Sequence, residues 1–395
     1  MRVRYYTHLS QLAGLSERDR RRLEPVSERY AFRSNSYYLG LIDWDDPGDP
    51  LRRLVVPDPD ELRPWGELDP SGEAHYTPVR GCQHKYRDTA LLLANEVCGG
   101  NCRYCFRKRL FMSDNDDAAL DTRAGVAYIA EHPEITNVLI TGGDPLMLST
   151  RRLAAVVTAV ASIPHVRIVR IGSKMAAFNP FRIIEDLELL ALPGEVRERG
   201  AQLYLMNHFD HPRELTPAAV EALRLLKAAG TEMVNQCPIV RGINDDPQTL
   251  AVLLRELSFV GCPQYYVFQG RPTAGNEPFE VSLVAGFHIF ADATRGLSGL
   301  AKRARFAMSH RTGKIEVTAI DERFIYMKYH RAHRTKDTGR AIIARRDDAA
   351  CWLDELEVVA GPPAALGSAR RRAPWPDWRP FPAWERLAPS DPACP

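Results

Sequence analysis

The sequence lacks a marked excess of charge of either sign and lacks any long apolar run. Lys and Arg number 52 against 50 Asp and Glu, so the formal net charge of the 395 residues is +2. A nearly neutral chain offers no broad positive field to nucleic acid or to an anionic membrane. No segment approaches the roughly 20 apolar residues of a membrane-spanning helix, and the first fifteen residues lack the apolar centre of a signal peptide. We therefore expect a cytoplasmic protein that binds neither nucleic acid nor membrane.

Cysteine is sparse, with eight residues in the whole chain. This number excludes the small secreted scaffolds that depend on disulfides. Three cysteines lie within eight residues, and the other five are scattered at Cys82, Cys237, Cys262, Cys351 and Cys394. In a reducing compartment a local group of cysteines indicates metal or redox chemistry. The scattered five are interpreted as buried or inert thiols.

Short apolar runs alternate with helical segments from about residue 88 onward. A typical helical segment follows Thr216, a good N-cap, and stops at Gly230. Six runs are predicted to be buried strands: 89–94, 137–141, 166–171, 201–206, 232–236 and 264–268. Because the strands are roughly 30 to 50 residues apart, repeated βα units are indicated. We predict an α/β fold built as a partial (β/α)6 barrel of the TIM type.

The rest of the chain is predicted to flank this barrel. Residues 1–85 form an N-terminal extension of short helices and irregular turns, and residues 86–300 form the barrel itself. Residues 301–360 contain three short, half-exposed strands that cover the open side of the barrel. Residues 361–395 form a tail rich in Pro, Arg and Trp.

The motif with the most chemical content is CGGNCRYC, which places Cys98, Cys102 and Cys105 just after the first predicted strand. On a barrel this is the face that carries the chemistry. Three thiolates bind three irons of a [4Fe–4S] cluster and leave the fourth iron open, because no further cysteine follows nearby. A zinc site is the alternative, but it normally needs four protein ligands. His84 is the nearby histidine, and its spacing from the cysteines fits no common zinc motif. The iron–sulfur interpretation is therefore favoured.

A second motif, TGGDPL, ends the next predicted strand. Gly142 and Gly143 leave backbone groups open to a ligand, and Asp144 adds a carboxylate. A Gly-Gly pair by itself is more often a plain turn. Its position, about 40 residues after the cysteines, favours a ligand-binding role for this motif.

The spacing of the three cysteines matches the signature of the radical S-adenosylmethionine (SAM) superfamily. The resemblance implies that SAM chelates the open iron through its amino and carboxylate groups. One electron from the cluster then cleaves SAM to a 5'-deoxyadenosyl radical, and an external donor of the flavodoxin or ferredoxin type supplies that electron. Gly142, Gly143 and Asp144 resemble the segment that holds the methionyl group of SAM.

Further segments are similar to those of the lysine 2,3-aminomutase family. They include HYTPV and QHKY, CFRKR, RIGSK, NHFDHP, NQ and RGIND, and they cover residues 75 to about 315 in the order of the family. The resemblance implies an isomerase that uses pyridoxal 5'-phosphate (PLP) to move an amino group between neighbouring carbons of a small amino-acid-like substrate. The oligomeric state, a homo-oligomer included, stays open on the sequence, because the cysteine cluster near the C-terminus of some family members is absent here.

The same resemblance implies roles for single residues. Lys314 corresponds to the lysine that binds PLP, and Lys85 and Tyr86 correspond to residues that line the PLP site. Arg107 corresponds to the arginine that pairs with the substrate carboxylate, as suits a guanidinium. Ser173 and Gln236 correspond to contacts with the nucleoside side of SAM or with PLP.

The sequence also departs from the family pattern. Thr89 stands at a position that is usually Arg and lines the PLP site, and no glycine run precedes Lys314. The two aspartates that hold the distal ammonium of lysine are missing, since Arg271 and Ala307 stand at those places. A buried ammonium without a counter-charge is costly. We therefore predict a substrate other than free lysine, and Arg271 favours an acidic or neutral group.

Three alternatives remain open on the sequence. One is a PLP-independent radical SAM epimerase, dehydrogenase or lyase on the same scaffold, which the departures at Thr89 and before Lys314 favour. Another is a non-catalytic iron–sulfur or zinc protein. The third is a peptide or protein substrate, against which the long N-terminal extension argues mildly.

Overall fold

The computed structural model describes residues 3–112, 117–118 and 121–366. Cys394 and most of the tail predicted at 361–395 lie outside the described residues. The helices are α1 Glu17–Arg29, α2 Ser36–Leu39, α3 Pro50–Val55, α4 Arg123–Ala130, α5 Thr150–Ala161, α6 Met175–Phe178, α7 Phe181–Ile184, α8 Leu187–Glu198, α9 Pro217–Ala228, α10 Pro247–Phe259, α11 Leu283–Arg295 and α12 Pro363–Leu366. The strands are β1 Tyr5–Tyr6, β2 Ser34–Asn35, β3 Cys82–Tyr86, β4 Thr89–Asn95, β5 Asn137–Gly142, β6 Ile168–Ser173, β7 Gln202–Asn207, β8 Glu232–Pro238, β9 Gln264–Phe268, β10 Arg305–His310, β11 Gly313–Ile320, β12 Phe324–Ala332, β13 Ala341–Arg345 and β14 Val358–Ala360.

Strands β3 to β14 form one 12-stranded sheet in sequence order. Strands β4 to β10 are parallel to one another, and short antiparallel strands complete both ends. The predicted α/β class and the six predicted buried strands are confirmed. Strand β6 begins two residues later than the sequence pattern indicated. Helix α9 begins after Thr216, whose side chain accepts a hydrogen bond from Ala219 N, as the N-cap pattern predicts.

Strand β10 differs from the prediction. Residues 305–309 were expected to be a half-exposed strand outside the parallel set, but β10 pairs in parallel with β9 and most of it is buried. The reason is helix α11, which crosses from β9 to β10 and packs on the sheet. Phe306 lies between Phe287 and Phe290 of that helix, with ring centroids 6.5 and 5.9 Å away. Burial of these rings makes β10 a seventh parallel strand.

The N-terminal extension contains helices α1 to α3, as predicted, and also strand β3, which the sequence pattern missed. Ser16 caps α1 by accepting a hydrogen bond from Asp19 N. Strand β3 pairs antiparallel with β4. It brings the segment of Lys85 and Tyr86 into the sheet next to the first parallel strand.

The two ends of the sheet contact each other through β3–β4 and β10–β12. Lys85 Nζ donates to His310 O at 2.5 Å, and Lys85 O lies 2.9 Å from His333 Nδ1. Tyr76 OH donates to Arg311 O at 2.9 Å. These contacts fix the C-terminal strands beside residues that are more than 220 positions earlier in the chain.

Two apolar clusters lie within the described part of the chain. One contains the residues of β4 to β8 and the helices on them, such as Val138 and Leu153. The other contains β9 to β12, with Phe306 and Trp352. No helix that the structure describes has the length and apolar character needed to cross a membrane.

Candidate functional site

The cysteine loop follows β4, and backbone contacts from the N-terminal extension hold it. Arg33 Nε donates to Cys98 O at 2.7 Å, and Asn35 Nδ2 donates to Gly99 O at 3.1 Å. Gly99 allows the loop to lie against α6, since a Cβ there would be 2.4 Å from Met175 Sδ. A side chain at this position would displace the loop.

Buried ion pairs fix the far side of the same loop. Glu61 is fully buried and accepts hydrogen bonds from Arg103 Nε at 2.9 Å and from Lys108 Nζ at 3.1 Å. Burial would raise the pKa of the Glu61 carboxyl, but the charges of Arg103 and Lys108 hold it below its ordinary value. Because each partner would be costly to bury alone, the three fix one conformation of the loop.

The three thiols of the loop lie in a desolvated environment. Burial raises the pKa of each thiol, and for Cys98 the nearby charges of Asp144, Cys105 and Cys102 raise it further. A metal centre stabilises thiolates in such a setting. No three His, Cys, Asp or Glu side chains of the described residues are arranged to hold one metal ion. Thiolates of an iron–sulfur cluster have no need to converge in this way, since each binds a different iron.

A second buried network lies beside Cys102. Lys174 Nζ donates to Asp210 Oδ2 and forms an ion pair with Glu214 Oε1, both at 2.7 Å. Tyr104, between two of the cysteines, donates to Asp210 Oδ2 at 2.5 Å. The cysteine loop is thereby linked to the ends of β6 and β7.

The Gly142-Gly143-Asp144 turn lies directly against the end of β4. Gly142 has a φ of +123°, and a Cβ on it would lie 2.3 Å from Asn95 O. Gly143 N donates to the same Asn95 O at 2.5 Å. Asn95 Nδ2 donates to Asp144 O at 2.7 Å. Both glycines are therefore required for the close approach of two strand ends.

The Asp144 carboxylate binds protein groups on both oxygens. Oδ2 accepts from Ser173 Oγ at 3.0 Å and from Lys174 N at 2.8 Å, and Oδ1 accepts from Leu146 N at 3.0 Å. Burial raises the pKa of Asp144 to about 6. The structure brings Asp144 and Ser173 together, and their bond joins the ends of β5 and β6. Gln236 lies on β8 opposite Tyr266 of β9.

Arg107, two residues after the last cysteine of the loop, forms an ion pair with a buried carboxylate. Glu73 accepts from Arg107 Nε at 3.2 Å and Nη2 at 2.9 Å, and also from Arg109 Nη2 at 2.5 Å. Burial would raise the pKa of Glu73, but the two arginines lower it below its ordinary value. Arg107 Nη1 faces Thr141 Oγ1 at 3.5 Å. The sequence pattern gave no signal for the Glu73 partner.

Five cationic side chains form what we call the cation group: Lys314 and four nearby cations whose charges lower its pKa. Arg271 lies over the ring of Phe106, next to Cys105, with its guanidinium carbon 3.5 Å from the ring centroid. The members are Lys85, Arg170, Arg271, Lys314 and Arg331. Arg170 Nε and Arg271 Nη1 are buried without a hydrogen-bond partner among the described residues. A buried cationic donor without a partner is costly, so the group favours an anionic ligand.

Lys314 is the amine at the centre of this group. Its Nζ lies 4.7 Å from the ring centroid of Tyr266 and 4.5 Å from that of Phe268. Burial lowers the pKa of Lys314 well below its ordinary value, and the charges of Arg271 and Lys85 lower it further. A lowered pKa favours the unprotonated amine, which is the nucleophilic form of a lysine.

Comparison with known proteins decides the family. No model of a known protein family matches the chain. The chain is 51% identical to a protein of Aquifex aeolicus (strain VF5) named "Putative L-lysine 2,3-aminomutase" over 361 residues, which are 91% of this chain and 96% of the relative. The chain belongs to the lysine 2,3-aminomutase family. It is therefore a radical SAM enzyme of the isomerase class.

More distant relatives in this family differ in the amino acid that they are named for. An L-lysine 2,3-aminomutase of Fusobacterium nucleatum is 32% identical over 74% of this chain and 68% of its own length. A glutamate 2,3-aminomutase of Clostridioides difficile (strain 630) is 30% identical over the same shares. The names of these two relatives thus refer to one basic and one acidic amino acid.

The structure also contains site residues that the family pattern did not assign. Arg331 and Arg170 join Lys85 and Lys314, and the pair of Lys174 with Asp210 supports the cysteine loop. Arg170, Lys174 and Asp210 lie in segments that resemble the family, and this resemblance was the only sign in the sequence that they belong to the site. Arg331 had none, because it lies beyond about residue 315, where the recognised family segments end.

Proposed function

We propose that this protein is a radical SAM aminomutase that uses PLP and moves an amino group on an amino acid other than free lysine. The observation that carries the proposal is the cation group beside the cysteine loop. Arg170 and Arg271 bury donor nitrogens without partners among the described residues, and burial and nearby cations lower the pKa of Lys314 in the same group. This combination suits a phosphate, a carbonyl and a carboxylate, which PLP and an amino acid together provide.

Cys98, Cys102 and Cys105 are proposed to bind the [4Fe–4S] cluster. Their desolvated thiols and the rigid ion pairs behind them suit a cluster that must exclude water. Gly142 and Gly143 are proposed to admit the methionyl group of SAM, with Asp144 and Ser173 holding the turn and Gln236 on the nucleoside side. When bound, the cluster supplies the single electron that cleaves SAM.

PLP fits the residues around Lys314. A neutral amine is the form that reacts with the PLP carbonyl, and Lys85 and Tyr86 lie where a phosphate needs donors. Tyr86 OH is buried and has no hydrogen-bond partner among the described residues. The rings of Tyr266 and Phe268 provide an apolar wall. When bound, PLP supplies the carbonyl that takes up the substrate amino group.

Arg271 is proposed to select the substrate. Its guanidinium lies over Phe106 and forms no ion pair with a described residue, while Arg107 is paired with Glu73. Burial lowers the pKa of Arg271 to about 10, so it is still a cation at pH 7. A substrate ammonium would meet a like charge here, whereas a second carboxylate would find a bidentate partner. We infer an acidic amino acid as the preferred class, with Arg107 binding the α-carboxylate.

We further propose that residues 86–300 curve into a partial barrel around these cofactors and that residues 301–360 close its open side. The contacts of Lys85 with His310 and His333 support this arrangement. A flavodoxin or ferredoxin is the proposed electron donor.

Anaerobic reconstitution of the full chain tests the proposed function. We expect four irons per protein, cleavage of SAM on reduction, a long-wavelength absorbance of lysine-bound PLP, and isomers of unchanged mass from an amino-acid panel that includes glutamate, aspartate and lysine. SAM cleavage without uptake of PLP would instead identify the PLP-independent enzyme on this scaffold. Turnover of free lysine above all others would contradict the substrate assignment.

A further inference from the structure

Thr89 removes one cation from the phosphate side of the site, since this position is usually Arg in the family. The side chain is buried, and its Oγ1 donates to Asp88 Oδ1 at 2.9 Å. A neutral hydroxyl cannot replace the charge of a guanidinium. A phosphate would therefore have Lys85 as a cationic donor, and any further cationic donor must come from the residues around Thr89.

Arg331 of β12 fills the space beside Thr89. Its Nη2 donates to Thr89 Oγ1 at 3.3 Å and pairs with Asp88. Its guanidinium carbon lies 4.4 Å from the ring centroid of Tyr86. A planar guanidinium that stacks on an aromatic face is pre-organised for bidentate contact with a phosphate.

The sheet explains why Arg331 points to this place. Arg331 is the direct cross-strand partner of Lys314 on β11, and side chains that are paired in this way lie on the same face of a sheet. Two residues further on, His333 contacts Lys85 O at 2.9 Å and ties the end of β12 to β3. Lys314, Arg331 and Lys85 are thereby brought to one side.

The local charge balance leaves room for an anion. Asp88 is the one carboxylate paired with Arg331 among the described residues, and 58% of its side chain is exposed. Arg170 adds a second guanidinium whose buried Nε has no partner in the described part of the chain. A phosphate dianion would balance this excess of positive charge.

We propose that Arg331 is the phosphate-binding arginine of this enzyme and takes over the contact that the family makes from the position of Thr89. The inference rests on the proposed use of PLP. The arginine that contacts the PLP phosphate therefore lies on β12 and not on β4, the first parallel strand. Arg331 is thus a binding residue for the cofactor, although it lies beyond the family segments that were recognised in the sequence.

The test compares the affinities of the full-length protein for PLP and for pyridoxal, which has no phosphate, by absorbance titration. We expect Arg331→Ala to weaken PLP about 10- to 100-fold, the usual worth of a charge-assisted hydrogen bond, and to leave pyridoxal unchanged. Arg331→Lys should recover part of the loss. Thr89→Arg added to Arg331→Ala should restore the affinity, because the guanidinium returns to the same space from β4. Arg345→Ala, which removes an exposed arginine of β13 that pairs with Glu357, is the matched control.

The outcomes separate the inference from the proposed function. A wild-type protein that takes up no PLP would overturn both. A wild-type protein that binds PLP while Arg331→Ala has the same ratio of PLP to pyridoxal affinity would overturn the role of Arg331 alone. An equal loss for both ligands would likewise overturn it, since a general disturbance of the site does not depend on the phosphate.

Discussion

Reversal of the charge at Arg271 should convert the substrate preference of this enzyme. The guanidinium lies over Phe106, two residues before Lys108 and directly after Cys105, without an ion-pair partner among the described residues. We expect the wild type to turn over acidic amino acids in preference to lysine. Arg271→Asp should raise the ratio of kcat/KM for lysine to that for glutamate.

The expected size follows from Coulomb's law. Two unit charges about 5 Å apart at an effective dielectric constant of about 20 interact by about 3 kcal/mol. Replacing Arg by Asp turns repulsion of the lysine ammonium into attraction, so the interaction energy changes by about twice that amount. Partial access of water reduces this change by about half. The remaining ~3 kcal/mol corresponds to a rise of about 100-fold in kcat/KM for lysine, and because glutamate loses an attraction of similar size, the ratio should change by more than about 100-fold.

The assay follows β-amino-acid products by mass spectrometry under anaerobic conditions, with iron content and thermal unfolding as checks of the fold. Arg255→Asp, at an exposed arginine of α10, provides a matched control and should leave the ratio unchanged. The reasoning would be refuted by a wild type that prefers lysine and an Arg271→Asp variant whose ratio stays within a factor of about three.

Three further predictions concern the cluster, the PLP lysine and a buried carboxyl. Cys98→Ala should lose the iron–sulfur absorbance and SAM cleavage while Cys351→Ala keeps both, which iron analysis and deoxyadenosine release would check. Lys314→Ala should lose the long-wavelength absorbance of bound PLP, whereas Lys328→Ala, at a half-exposed lysine of β12, should retain it; retention in both would disprove the assignment. Asp144 has a folded pKa of about 6 against an ordinary 3.8, so the folded state binds the proton more tightly and the wild type should lose stability as pH rises from about 4 to 6. The loss in the free energy of unfolding should approach ~3 kcal/mol and be absent in Asp144→Asn. Urea unfolding at several pH values measures it, and the same pH dependence of stability in both proteins would contradict the prediction.

Local sequence patterns determined much of the scaffold. The apolar runs at β4 to β9 are short and separated by helical segments, so each can be recognised without knowledge of its neighbours. The spacing of Cys98, Cys102 and Cys105 likewise defines a three-thiolate loop, because all three lie within eight consecutive residues. Thr216 marked the start of α9 for the same reason, since a cap involves groups three residues apart.

Pairings across long stretches of chain were beyond the sequence pattern. The pattern of β10 predicts a short, half-exposed strand, whereas packing against α11 buries Phe306 and most of the strand. Glu73 showed no sign that it would pair with Arg107, 34 residues later. Each of these depends on which faces are buried together, and a periodic pattern does not contain that information.

The site itself shows the division most clearly. The sequence by itself determined that the chain carries the cysteine loop, the Gly-Gly-Asp turn and a lysine at 314, and that a cation is missing at Thr89. The tertiary structure alone decided that Arg331, 242 residues away, occupies the space beside Thr89. A ligand responds to where charge lies in space, and the folded sheet brings the two ends of the chain to the same place.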